Sequence, residues 1–226
     1  MMPPMRKTFC CCVVLFLLTI GREIHAQEGL PWPGGSPSTE LFKLLQDLNR
    51  DYGPDTVTLV SWLLDSAVRS GSVLTSSAKV DGDEIHEEKK FLVFQVDTGI
   101  IFNTEKVDQN GRLTALWEKI LARTFAHLET LQVPADGVTI RLLYHSKSFS
   151  ETESLAEQID EPGPVEEAKF YFLTDQVRAF LGKELSPQAL LTRSQVLVNG
   201  SPAIVILPDG AQHTSILASG CAVGQS

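Results

Sequence analysis

Apolar and polar positions along this chain follow two rhythms, and the change from one to the other divides it. From Ser38 or Thr39, which can cap a helix, Leu41, Leu44, Leu45 and Leu48 recur at helical spacing until Tyr52-Gly53-Pro54 stops the run. Val60, Leu63, Leu64, Ala67 and Val68 share a second helical face, with Asp55 as its cap and Gly71 at its end. The opening Val57-Thr58-Leu59-Val60 taken alone suits a strand, but the longer spacing favours a helix over 57–68.

Period two then takes over. Residues 72–80 read as a strand, Asp81-Gly82 as a turn, and 90–96 as a strand with both faces apolar, Phe91 and Val93 on one side and Leu92, Phe94 and Val96 on the other. Residues 100–103 continue that strand or pair back after a turn at Asp97-Thr98-Gly99. Asn110-Gly111 opens the clearest helix, whose stripe runs through Leu113, Leu116, Trp117, Ile120, Leu121, Thr124, Leu128 and Leu131. After Pro134-Ala135-Asp136-Gly137, the residues Val138, Ile140, Leu142 and Tyr144 alternate with Thr139, Arg141, Leu143 and His145, as in a strand with one face buried and the other partly so. Residues 148–164 are polar and acidic, with room for a short helix near 151–159. A strand at 169–173 and a short helix through Val177, Phe180 and Leu181, capped by Asp175, come next. Residues 194–198 and 201–207 form a hairpin about Asn199-Gly200, residue types that tolerate the positive φ angles of a type I′ turn.

Tight turns between neighbouring strands demand antiparallel pairing, and the regular strand–helix alternation of a doubly wound sheet is missing. The expectation is the α+β class: a mainly antiparallel sheet with helices packed on one face. No 20–50-residue repeat argues for a solenoid or propeller.

The first 26 residues follow a different logic. Arg6 and Lys7 precede an uncharged apolar stretch over 8–20, Gly21 breaks it, and Ile24 and Ala26 sit at the −3 and −1 positions of a cut at Ala26/Gln27. That order is a secretory signal, and the apolar stretch is short of the roughly 20 residues that span a bilayer. The expected organisation is a signal peptide over 1–26, a flexible Pro- and Gly-rich leader over 27–38 that holds Trp32, a single α+β domain over 39–210 and a flexible tail over 211–226. The protein is thus expected to be exported, periplasmic or extracellular, with no stable membrane anchor after cleavage. Cys10, Cys11 and Cys12 lie inside the apolar core and leave with it. Leu217-Ala218-Ser219-Gly220-Cys221 looks like a lipidation box but stands at the wrong end of the chain.

Cleavage changes the composition. Removing Arg6, Lys7, Arg22 and Glu23 from 19 basic and 28 acidic residues leaves 16 and 27, a net charge of −11. Such a chain is repelled by phosphate backbones and anionic lipid, which argues against nucleic acid as a partner. Cys221 is the one cysteine left, so no intrachain disulfide can form, although a bridge between two chains of a homodimer is open to it. An exported domain without disulfides fits a bacterial envelope. Asn199-Gly200-Ser201 is a glycosylation sequon, but Pro202 follows it and the turn reading accounts for it.

Candidate chemistry is sparse. Asp97-Thr98-Gly99 follows a hydrophobic strand as an aspartic-protease carboxylate does, yet no second copy supplies the partner that would share its proton. His145 stands near Ser146, Ser148 and Ser150, and with Asp97 it is the candidate for a catalytic role. Asp81, Asp83, Glu84, His86, Glu87 and Glu88 form an acidic run with one imidazole; Asp81, Asp83, Glu84 and His86 are the candidate metal ligands. An EF-hand frame counted from Asp81 puts His86 and Leu92 where glycine and glutamate belong, and Lys90 replaces the second histidine of a zinc-protease helix begun at His86-Glu87. Ser76-Ser77-Ala78-Lys79 matches S-x-x-K without its companion motifs, and no nucleophile elbow, Walker loop or dinucleotide fingerprint occurs, so no cofactor is expected. The balance favours a non-enzymatic binding or interaction protein of the bacterial envelope with a protein or envelope component as partner. A secreted hydrolase with a site assembled from scattered residues is the alternative.

Export is checked directly. The chain expressed with its own N-terminus is expected to reach the periplasm or medium with a mass that begins at Gln27. A product that retains 1–26 would overturn the cleavage.

Overall fold

The computed structural model describes residues 39–149 and 159–208, with side chains from Leu45 onward. The expected signal peptide, leader and tail, Cys221, and most of the short helix expected near 151–159 lie outside the described residues. The chain divides into two units, Met1–Lys43 and Leu44–Ser226; the second carries everything below except the first residues of the opening helix.

Helix α1 (Thr39–Tyr52) and helix α2 (Pro54–Arg69) come first. Pro54 starts α2 at a position where a missing N–H costs nothing, and the Asp55 carboxylate, within the first turn and not at the cap, accepts from Gln132 N at 2.7 Å. Strand β1 (Ser77–His86) and strand β2 (Lys89–Asn103) form a hairpin. Helix α3 (Gln109–Leu116), a π-helical turn over Trp117–Leu121 and helix α4 (Ala122–Ala126) make one continuous rod. Strands β3 (Gly137–Lys147) and β4 (Val165–Leu173), helices α5 (Thr174–Leu181) and α6 (Pro187–Arg193), and the short strands β5 (Gln195–Val198) and β6 (Ser201–Ala203) complete the order.

The fold is α+β: one six-stranded sheet in the order β1-β2-β3-β4-β5-β6, antiparallel at every pair except β2–β3. The exception follows from the α3–α4 rod, which returns the chain to the end of the sheet where β2 began, so β3 must run parallel to it. Alternation decides the faces. Leu92, Phe94 and Val96, with Val138, Ile140, Leu142, Ala168, Phe170, Phe172, Val196 and Val198, turn toward the helices and join one core. Leu59 and Leu63 of α2, Leu113 and Leu116 of α3, Trp117 and Ile120 of the π turn, and Val177 and Leu190 meet them there. The wider π turn admits one extra residue per turn and so keeps Trp117, Ile120 and Leu121 all on the buried side. The rod ends at Ala126, before the last residues of the expected stripe. Leu128 and Leu131 are buried from the loop that follows, after His127 and Leu128 close the helix with bonds to the carbonyls three residues back.

Two expected turns are bulges. Asp81-Gly82 lies inside β1, where Gly82 takes φ 89° and the pairing register shifts between Val80 and Asp83. The strand therefore starts at Ser77, later than expected, and continues to His86. The reversal is made by Glu87 and Glu88, at φ 48° and 63°. Asp97-Thr98-Gly99 is likewise a shift in one long strand, so 100–103 continue β2; Thr98 Oγ1 donates to Leu143 O at 2.9 Å across the irregularity. In both places pairing with a neighbouring strand outweighs the local turn preference. The Asn199-Gly200 hairpin is as expected, at φ 49° and 80°.

The strand after that hairpin is shorter than the expected 201–207. Beyond Ala203 the chain leaves the sheet as an extended strap that buries Val205 and Leu207 in the helix-side core. Side-chain amides replace the ladder. Asn110 receives Ile206 N on Oδ1 at 2.9 Å and donates Nδ2 to Ile206 O at 3.1 Å. Gln188 does the same for Leu207 N and Val205 O, at 2.8 and 3.0 Å. Asn110→Ala and Gln188→Ala are each expected to lower stability by about 1–2 kcal/mol, read from urea denaturation. Unchanged midpoints would mean that water holds the strap as well as the amides do.

Candidate functional site

The face of the sheet away from the helices is built from the alternate residues. It carries Lys79, Asp81, Glu84 and His86 from β1; Phe91, Val93 and Gln95 from β2; Thr139 and Arg141 from β3; Glu167, Lys169 and Tyr171 from β4; and Gln195 from β5. In a flat sheet β1 and β4 would stand three strand spacings, about 14 Å, apart. Here Glu84 Oε2 is 3.8 Å from Lys169 Nζ, and the His86 ring stacks on Tyr171 with centroids 4.1 Å apart. His86 Nε2–H also donates to Gln195 Oε1 on β5. The sheet coils, and the β1–β2 hairpin folds over its own open face.

Arg141 sits at the middle of this concave face. Its Nε is 2.5 Å from Glu167 Oε2, and its Nη1 reaches Asp81 Oδ2 at 3.1 Å and Gln95 Oε1 at 3.2 Å. Lys79 meets Asp81 at 3.0 Å, and Lys169 is shared between Glu84 and Glu167, each at 3.8 Å. The Lys79 ammonium, with Arg141 behind it, holds the Asp81 carboxyl below the usual carboxylate range. Arg141, Glu167, Glu84 and Lys169 are about three-quarters buried, so their pairing exceeds the near-zero value of an exposed pair, and removing one partner strands the other; Lys79 is half exposed and adds less. Beside the lattice lies a small apolar patch separate from the main core, formed by Phe91, Val93 and Tyr171. The Phe91 ring meets Tyr171 edge-on at 5.4 Å by lying over Gly137, where a Cβ would overlap both that ring and Phe172 O.

A second polar group closes the far end of the helix layer. Glu166 accepts from Tyr144 OH at 2.9 Å and from Ser146 Oγ, with Arg112 Nη2 at 3.6 Å. Tyr144 is fully buried and Ser146 nearly so, which makes this cluster an internal tie between β3, β4 and α3.

The candidates from sequence fall as follows. Asp81, Glu84 and His86 share the concave face, each with a protein partner; Asp83, opposite Leu92, points the other way and pairs with Lys90 at 2.8 Å. Among the described residues, no three His, Cys, Asp or Glu side chains gather closely enough to hold a metal ion. Asp97 and His145 stay apart in function: Asp97 Oδ1 accepts from Gly99 N at 3.2 Å, and His145 Nδ1–H donates to Gly163 O at 2.9 Å. Arg141, Glu167 and Lys169 were not singled out from sequence, although period-two polar positions inside apolar strands were their signal. Among the described residues, no helix is long and apolar enough to cross a membrane. No family model, curated protein or solved structure matches the chain.

Two phenols give the site a pH signature. Burial, then Glu166, pushes Tyr144 up to about 12; burial, then Glu84, pushes Tyr171 up to about 12. The unfolded chain ionises both near 10.0, so their contribution to stability is complete below that pH and is lost as pH rises through 12. At a pH between those values, unfolding in urea should raise tyrosinate absorbance by about two phenols, and Tyr144→Phe should remove one of them. Equal absorbance in the folded and unfolded protein would show both phenols open to solvent.

Proposed function

We propose that the chain is an exported, non-enzymatic binding protein of the bacterial envelope, acting in the periplasm or beyond it, that takes an extended segment of a protein partner on the free edge of β1. The observation that carries this reading is the edge itself. β1 offers ten residues and, among the described residues, pairs with β2 on one side only. The opposite edge is three residues long and contains Pro202, which has no N–H to give. Strand addition draws affinity from backbone groups and selectivity from alternate side chains. On β1 the exposed ones are Lys79 and Asp81 on the concave face and, beyond the bulge, Asp83 and Ile85 on the other, Ile85 being 72% exposed. Charges and a bulge on an edge discourage indiscriminate pairing, so the segment that fits must match them.

The alternative of a secreted hydrolase asks for a nucleophile and base that converge on one point. Asp97 and His145 each hold a backbone group instead, and the carboxylates of the concave face are paired with Arg141, Lys79 and Lys169. The acidic charge of the chain supports a protein partner over nucleic acid or anionic lipid.

A photo-reactive residue at Ile85, in cells that export the protein, is expected to give one discrete cross-linked product. The same residue at exposed Glu129, on the loop after α4, should not give it. No product from position 85, or identical products from both positions, would sink the edge as the docking site.

A further inference from the structure

The chain contains two Asn-Gly pairs, Asn110-Gly111 and Asn199-Gly200, and the fold treats them oppositely. Asn-Gly is the sequence at which a backbone can attack its own side chain. The glycine nitrogen loses its proton and bonds to the asparagine Cγ. The Cγ–Nδ2 bond breaks and ammonia leaves with the proton. Water then opens the cyclic imide at either carbonyl, giving aspartate or isoaspartate. Nothing is oxidised or reduced. The step needs a glycine N–H that can give up its proton and a side chain free to be attacked.

At Asn110 both requirements are blocked. Gly111 N–H donates to the Asp108 carboxylate at 2.7 Å as part of the α3 cap, and a negative charge on that proton opposes its loss. The Asn110 amide is held at both ends by the strap, through Ile206 N and Ile206 O. At Asn199 the opposite holds. The turn residues Asn199 and Gly200 are exposed, and Gly200 N–H has no partner among the described residues. The one side-chain contact, Glu167 N–H to Asn199 Oδ1 at 2.9 Å, polarises the carbonyl that is attacked and would hold the oxyanion that forms on it. The amide nitrogen that must leave is unengaged among the described residues.

We propose that Asn199 is the deamidation site of the folded protein and that Asp108 protects Asn110. The product matters for the concave face. Isoaspartate adds a backbone methylene to a two-residue turn that sets the Val198–Ser201 register. It also places a new negative charge beside Glu167, the residue that holds Arg141. Each exported molecule would thus carry a one-way chemical clock on the β5–β6 hairpin.

The test is timed incubation of the folded full chain at neutral pH, with peptide mapping that separates aspartate from isoaspartate. Conversion at Asn199 is expected to run about tenfold or more faster than at Asn110, since a charge-assisted hydrogen bond on the nucleophile is worth at least one such factor. In urea the two sites should convert at similar rates. Asp108→Ala should make Asn110 labile in the folded protein, and Asp108→Asn, which keeps an acceptor but loses the charge, should give a rate between wild type and Asp108→Ala. An intact Asn199 in the folded wild-type chain, or conversion at Asn110 as fast as at Asn199, overturns the proposal without recourse to the variants.

Discussion

A sheet with helices on one side has a second face to account for, and here that face closes on itself around Arg141. No second helical layer covers it among the described residues. The β1–β2 hairpin coils over instead, and one guanidinium joins carboxylates from β1 and β4 while also meeting Gln95 of the strand between. The coil brings His86 onto Tyr171, lays Phe91 across Gly137, and sets Glu84 against Lys169. A charge lattice is a costlier cover than an apolar layer, because each member needs its partner in place. It is also more selective: a one-residue slip of β1 would turn Asp81 and Glu84 away from their cations.

Much of the fold was legible because its signals are long or unambiguous. Helix α2, the α3–α4 rod, strands β2 and β3 and the Asn199-Gly200 hairpin each carry their own periodicity or turn chemistry. The failures share a cause. Asp-Gly and Asp-Thr-Gly favour turns and bulges by the same backbone freedom, and only the partner strand decides between them. For Asp81-Gly82 the deciding contact is Asp83 through His86 on Lys89 through Leu92; for Asp97-Thr98-Gly99 it is the resumption of pairing with β3 at His145.

The concave face was half visible. The acidic run from Asp81 to Glu88 stood out, but as a set of candidate metal ligands. Its cations, Arg141 and Lys169, lie 60 and 85 residues beyond Asp81 and Glu84, and only the sheet register places them opposite. Asn110 shows the same limit from another side: as half of an Asn-Gly pair it marked the start of a helix, while its amide binds a strap 96 residues away. Asp97 and His145 attracted notice as residue types, and their geometry turned out to be local backbone support.

The strand order matches the chain order from end to end, and that has a kinetic side. Four of the five pairings join strands that follow one another antiparallel, and the β1–β2 and β5–β6 hairpins can close without waiting for distant chain. The parallel β2–β3 pair is different, because residues 104–136 must first compact into a rod before the two strands can meet. A chain of this topology should condense from its two ends and join last across its middle, where the β2–β3 seam divides the early hairpin from the rest.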